Sequence, residues 1–174
     1  MKKLFIFFLI IFISGKSFSQ VEGVYFFPKG EDKFNVGFGA SVKFSIPVSD
    51  AAYATIEGAF DYASITSSYN QEGIAILPIK LGYRYTVNGT GIGFYIEPQA
   101  GYNVSGAFTN DVKDIKINGF EWAGNIGYLF ERKRKIQFDI SLRYETSYYK
   151  GGSFNFIALR LAHNFSFGRR DSDE

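Results

Sequence analysis

The most constraining feature of this chain is a period of two. Between residues 136 and 148 the even positions are Ile136, Phe138, Ile140, Leu142, Tyr144, Thr146 and Tyr148. The odd positions are Gln137, Asp139, Ser141, Arg143, Glu145 and Ser147. Successive side chains of a β-strand project to opposite faces, so this segment forms a strand with one apolar face and one charged or small face. The same alternation runs through residues 34–46, 92–105, 120–130 and 157–167, and less cleanly through 53–64 and 77–86. Residues 21–27 make a first strand whose parity the pattern does not fix. Eight strands are expected, and no 3.6-residue stripe competes with them.

The breaks fall at residues 28–33, 47–50, 67–71, 88–90, 109–118, 131–134 and 150–152. Asn88-Gly89 is a tight-hairpin signal, because both residue types tolerate positive φ. Short connections throughout predict antiparallel neighbours in up-and-down order. The composition agrees: 20 Phe, 12 Tyr and 19 Gly favour an all-β chain over a helical bundle.

The opening residues read differently. Met1-Lys2-Lys3 precedes an apolar run at 4–13 and a polar, small stretch at 14–19. This is the pattern of a cleavable secretory signal peptide. The apolar run is too short for a spanning helix, which needs roughly 20 residues. The expected organisation is a signal at 1–19, a barrel domain at 20–168 and a polar tail at 169–174. Removing Lys2, Lys3 and Lys16 from 19 basic residues leaves 16 against 17 acidic ones. The formal charge of +2 therefore belongs to the leader, and no basic footprint for nucleic acid exists. With no Cys and one His, thiolate sites and multi-histidine zinc sites within one chain are excluded, and no cofactor is expected.

The contents of the two faces decide the architecture. A soluble β-sandwich or lipocalin-like barrel turns its apolar face inward. Here that face carries Phe, Tyr, Ile and Leu on nearly every strand, while the other is rich in Gly, Ala, Ser and Asn. An eight-stranded barrel has an interior just wide enough for side chains to fill. The small and charged face fits that interior, and the bulky apolar face fits lipid. Strands of this length also match a tilted bilayer crossing. The expectation is an all-β, eight-stranded, antiparallel up-and-down transmembrane barrel. Its lipid-facing and girdle aromatics are Phe38, Phe44, Phe94, Trp122, Tyr128, Phe130, Phe138, Tyr144, Phe165 and Phe167. An even strand count puts both mature termini in the periplasm, together with the breaks at 47–50, 88–90 and 131–134.

Parity assigns eleven charged residues to the lumen: Lys43, Lys80, Arg84, Arg143 and Arg160 against Glu57, Asp61, Glu97, Glu121, Asp139 and Glu145. Buried charges persist only when paired and hydrogen-bonded. Near-equal counts point to an interlocked structural network rather than an open pore, which usually comes with many more strands.

The chain resembles the outer membrane protein beta-barrel domain family, the small eight-stranded barrels of Gram-negative outer membranes. The likeness rests on the signal peptide, on Leu77-Pro78-Ile79-Lys80-Leu81-Gly82-Tyr83, on Glu97-Pro98-Gln99-Ala100-Gly101-Tyr102 and on the last aromatic strand. It implies an outer-membrane location, contact with outer-membrane lipids, and handling by periplasmic chaperones and the outer-membrane assembly machinery. A monomer with a structural, envelope-integrity or surface-interaction role is expected. A narrow porin-like channel or small-ligand transporter is the alternative, and a lipid-modifying barrel enzyme is a further one. A soluble exported barrel that binds an apolar ligand is the remaining reading. One departure is the seven-residue tail after Phe167, where many such barrels end on the terminal aromatic.

Catalytic patterns fail on spacing. A lipid A deacylase pairs His and Ser two residues apart, whereas His163 and Ser166 are three apart and project to opposite faces. They cannot form a nucleophile–base hydrogen bond without a bulge. An aspartyl-protease barrel needs Asp and His at the outer rim, and His163 lies at the other end. Asn88-Gly89-Thr90 matches a glycosylation acceptor but reads better as a hairpin turn. Gly89, Gly91 and Gly93 imitate a phosphate loop without the helix that such a loop requires. Lys133-Arg134-Lys135 reads as a solvated turn.

Overall fold

Every alternating segment becomes a strand of one closed sheet. A computed structural model describes residues 16–27, 33–66, 71–107, 118–132, 136–150 and 152–165. Along β1 and at several strand ends the description is confined to the backbone. The strands are β1 (Lys16–Phe27), β2 (Lys33–Ser49), β3 (Ala52–Thr66), β4 (Gln71–Thr86), β5 (Gly93–Ala107), β6 (Gly119–Arg132), β7 (Ile136–Tyr149) and β8 (Gly152–Phe165). All neighbours are antiparallel, and β1 also pairs with β8, so the sheet closes into a barrel in sequence order. Closure removes the free edges that hydrocarbon cannot satisfy.

Residues opposite one another across the ladders share a face, and the register therefore carries each row around the ring. It pairs Glu57 with Lys43 on one side and with Lys80 on the other. It also aligns the backbone of Glu22 on β1 with Gly39 of β2 and with Arg160 of β8. Lys16 to Ser19, assigned from sequence to the signal, extend β1 beyond the expected mature start at Gln20.

Three details differ from the sequence expectation. β2 continues through Pro47 to Ser49, with a register irregularity between them, so the turn is confined to Asp50 and Ala51. Proline is tolerated at such a strand end because the ladder there is already irregular. The expected tight hairpin at Asn88-Gly89 is instead a six-residue connection between Thr86 and Gly93. Gly89, Gly91 and Gly93 all take positive φ and let the chain curl wider, while the Thr86 hydroxyl accepts the Gly91 N–H at 3.0 Å. This loop leans on its neighbour, since the Thr86 N–H donates to the Ala51 carbonyl at 2.8 Å. Finally, the β3–β4 ladder lapses between the Gly58–Ile79 and Asp61–Ile76 pairs.

The outer surface is a belt of apolar side chains, with Phe38, Phe94, Trp122, Tyr128, Phe130, Phe138 and Tyr144 all exposed and Phe44 half-buried. Ring pairs gather at both ends. Tyr128 packs on Phe130 (4.5 Å) and Phe138 on His163 (5.0 Å) toward the β6–β7 turn. Trp122 meets Tyr144 (5.6 Å), and Phe120 meets Tyr148 (6.3 Å), toward the other. The side chain of Phe165, and Phe167 altogether, lie outside the described residues.

Candidate functional site

The lumen is where this chain concentrates its chemistry. All eleven charged residues assigned by parity are buried there, each at 2% exposure or less. Glu57 on β3 is the hub. Its carboxylate contacts Lys43 Nζ (3.1 Å) and Arg160 Nη2 (3.1 Å), Lys80 Nζ at 3.7 Å, and the Arg143 guanidinium. Four cations from β2, β4, β7 and β8 thus converge on one acid.

Around this hub the network spreads toward both mouths. Glu97 binds Lys43 (3.0 Å) and Arg84 (2.9 Å) and accepts the Thr55 hydroxyl at 2.9 Å. Toward the β4–β5 loop, Arg84 also reaches Asp139 at 2.9 Å and lies over the Tyr95 ring, 3.9 Å from its centroid. The Tyr95 hydroxyl donates to Asp139 Oδ1 at 2.7 Å. Toward the opposite mouth, Lys80 holds Glu145 (2.6 Å) and Glu121 (3.3 Å), and the Ser147 hydroxyl donates to Glu121 at 2.7 Å. Asp61 sits four residues from Glu57 along β3, on the same face, and is fully buried.

Neutral amides stitch the charges together. Asn125 Oδ1 accepts from both Arg143 Nε and Arg160 Nη1 at 3.1 Å, and Asn125 Nδ2 donates to Gln99 Oε1 at 3.0 Å. Gln99 Nε2 in turn donates to Glu97 (3.0 Å) and Glu57 (3.2 Å). Gln99 thereby adds hydrogen bonds to the carboxylates of Glu57 and Glu97 beyond their ion pairs, of the kind buried ions require.

Sequence reasoning placed Gln99, Asn125 and Tyr95 on the polar row without giving them a role. It missed Ile76, Leu129 and Phe156, apolar side chains buried in the interior. For Tyr95 a signal does exist in its cross-strand partner, Gly127. A Cβ on Gly127 would come within 2.6 Å of the Tyr95 ring and 2.7 Å of Ser141 Cβ. Glycine there makes the recess into which the ring lies.

The arrangement binds charges to one another through ion pairs and hydrogen bonds. His163 stands outside it, edge-on to Phe138, and Ser166 lies outside the described residues. Among the described residues, no group of three His, Cys, Asp or Glu is placed to hold a metal ion.

This combination of a closed ring, an apolar belt and a salt-bridged lumen is the fold of the small eight-stranded outer-membrane β-barrels. Solved structures bear this out. Ail, the attachment invasion locus protein of Yersinia pestis, matches 88% of this chain and 100% of its own, with 14% identity and a TM-score of 0.54. Neisserial surface protein A matches 87% and 97%, with 12% identity and a TM-score of 0.58. OprG of Pseudomonas aeruginosa matches 88% and 97%, with 12% identity and a TM-score of 0.52. No protein-family model matches the chain, and no curated protein matches it. At these identities the likeness is one of fold.

Proposed function

We propose that this protein is a monomeric, non-enzymatic outer-membrane barrel. Its wall carries a structural, envelope-integrity or surface-interaction role, and its lumen is filled by a fixed charge network. The observation that carries this reading is the convergence of Lys43, Lys80, Arg143 and Arg160 on Glu57, which ties four separate strands together across the interior. Moving an ion along that axis requires parting buried pairs, each dear to break because it leaves an uncompensated charge. A surface role is supported by the company of the fold, which includes proteins named for attachment and for the cell surface.

In this reading a leader directs export, periplasmic chaperones and the assembly machinery deliver the chain, and both mature termini face the periplasm. Recovery in the outer-membrane fraction, with a mobility change between unboiled and boiled gel samples, tests location and closure together. Planar-bilayer recordings test the filled lumen: no discrete conductance is expected from the purified protein. Reproducible unitary steps would overturn it in favour of a channel. Altered lipid A masses on overexpression or deletion would instead favour an enzyme.

A further inference from the structure

The lipid-facing surface has a gap in its belt on β2 to β5. A shallow cavity of about 490 Å³ opens across β2 to β5, walled outwardly by Val42, Phe60, Leu77, Ile79 and Val104, with Gly58 among them. Each of those side chains is apolar. A Cβ on Gly58 would meet no atom within 4 Å, so a side chain at that position would project into the gap. Under this spot lies the lapse in the β3–β4 ladder, where Ala59 and Phe60 face Leu77 and Pro78 without pairing. Pro78 has no N–H to give. The Leu77 N–H turns instead to the side chain of Asn103, donating to Oδ1 at 3.2 Å.

Water is a poor occupant. A held water needs two to four polar partners. The one polar side chain at the lining, Ser41, belongs to the luminal row, where its hydroxyl accepts a hydrogen bond from Arg160 Nη2 at 3.0 Å. A second copy of this barrel is also a poor fit. It would bring another convex wall to a dent one side chain deep, whereas a stable interface buries roughly 1,200–2,000 Å². A flexible hydrocarbon chain follows such a dent without loss of polar contacts. No charged side chain lines the gap, so nothing there selects a multiply phosphorylated glycolipid over a phospholipid.

We propose that the Gly58 groove is a binding site for one acyl chain of a membrane phospholipid, which seals the interrupted ladder from outside. This rests on the membrane-barrel reading above. The groove holds its chain longer than the surrounding belt holds ordinary annular lipid.

Native mass spectrometry of the full-length protein, released from membranes in mild detergent with saturated phosphatidylethanolamine added back, tests the site. Wild-type protein is expected to retain one phospholipid. Gly58→Leu, which projects a branched side chain into the groove, should cut that occupancy roughly tenfold, a change of ~1.4 kcal/mol in binding. Phe60→Ala, which removes a wall and adds no atoms, should do the same. Gly124→Leu supplies the control, since Gly124 on β6 also leaves open space where a Cβ would stand. It should retain the lipid. The proposal is overturned by equal retention in Gly58→Leu and wild type, or by equal loss in Gly124→Leu. A dimer that disappears in Gly58→Leu with lipid unchanged also overturns it, assigning the groove to a second copy. Release of wild-type protein from cells without detergent removes the membrane reading itself, and fractionation detects this before any lipid is counted.

Discussion

Glu57 shows how much can depend on one buried carboxylate. It is paired on both sides within its own sheet rows and from across the lumen, and no water-exposed position is available to it. Replacing it with glutamine keeps the shape and removes the charge that four cations share, although Lys43, Lys80 and Arg143 keep other carboxylate partners. The expected loss of stability is about 3–5 kcal/mol, the range for breaking a buried ion pair by removing one partner. Denaturant titration followed by the heat-dependent gel shift measures it. Glu131→Gln, at an exposed position on β6, should stay within about 0.5 kcal/mol of wild type by the same assay. Position 57 was readable as luminal from parity alone. Its status as the hub was not, because that depends on which residues of β7 and β8 arrive opposite it across the barrel.

At the scale of elements, the joint between β5 and β6 shows what a register adds to a pattern. Tyr95 and Gly127 stand opposite each other, and the ring occupies the space a side chain at 127 would need. Gly127→Ala should therefore destabilise the barrel by about 1–3 kcal/mol, as overpacking does. In a Tyr95→Ala background the same change should cost less, with the close approach to Ser141 Cβ remaining, and a double-mutant cycle read by denaturant titration measures the difference as coupling. Sequence alone sorted these residues onto the correct row, since period two is a local property. It did not find the pairing, which depends on the stagger between strands. The β4–β5 loop was misread for a related reason. Asn88-Gly89 satisfies the rules of a two-residue turn, but Gly91 and Gly93 extend the positive-φ stretch, and contacts to the β2–β3 turn select the wider loop.

For the whole molecule, the decisive contact is the seam between β1 and β8, because it converts a sheet into a ring. The chain contains no cysteine, so an introduced pair reports on the seam without background. Val21 and Leu161 are directly opposed there. Cα atoms of opposed antiparallel residues lie ~4.5–5.5 Å apart, within disulfide range. Val21→Cys with Leu161→Cys is expected to crosslink under mild oxidation, seen as a mobility shift reversed by reductant. Val21→Cys with Leu142→Cys, which the register does not oppose, should not crosslink. The alternation that made the fold legible also gives each strand a reading frame of two. Deleting one residue at the centre of β7 would turn every following side chain of that strand about, delivering Arg143 and Glu145 to lipid and Tyr144 to the lumen. Deleting two would shorten the strand and leave its inside and outside unchanged. Tolerance of this wall to insertion and deletion is thus counted in even numbers, and drift in its length over time should proceed by pairs.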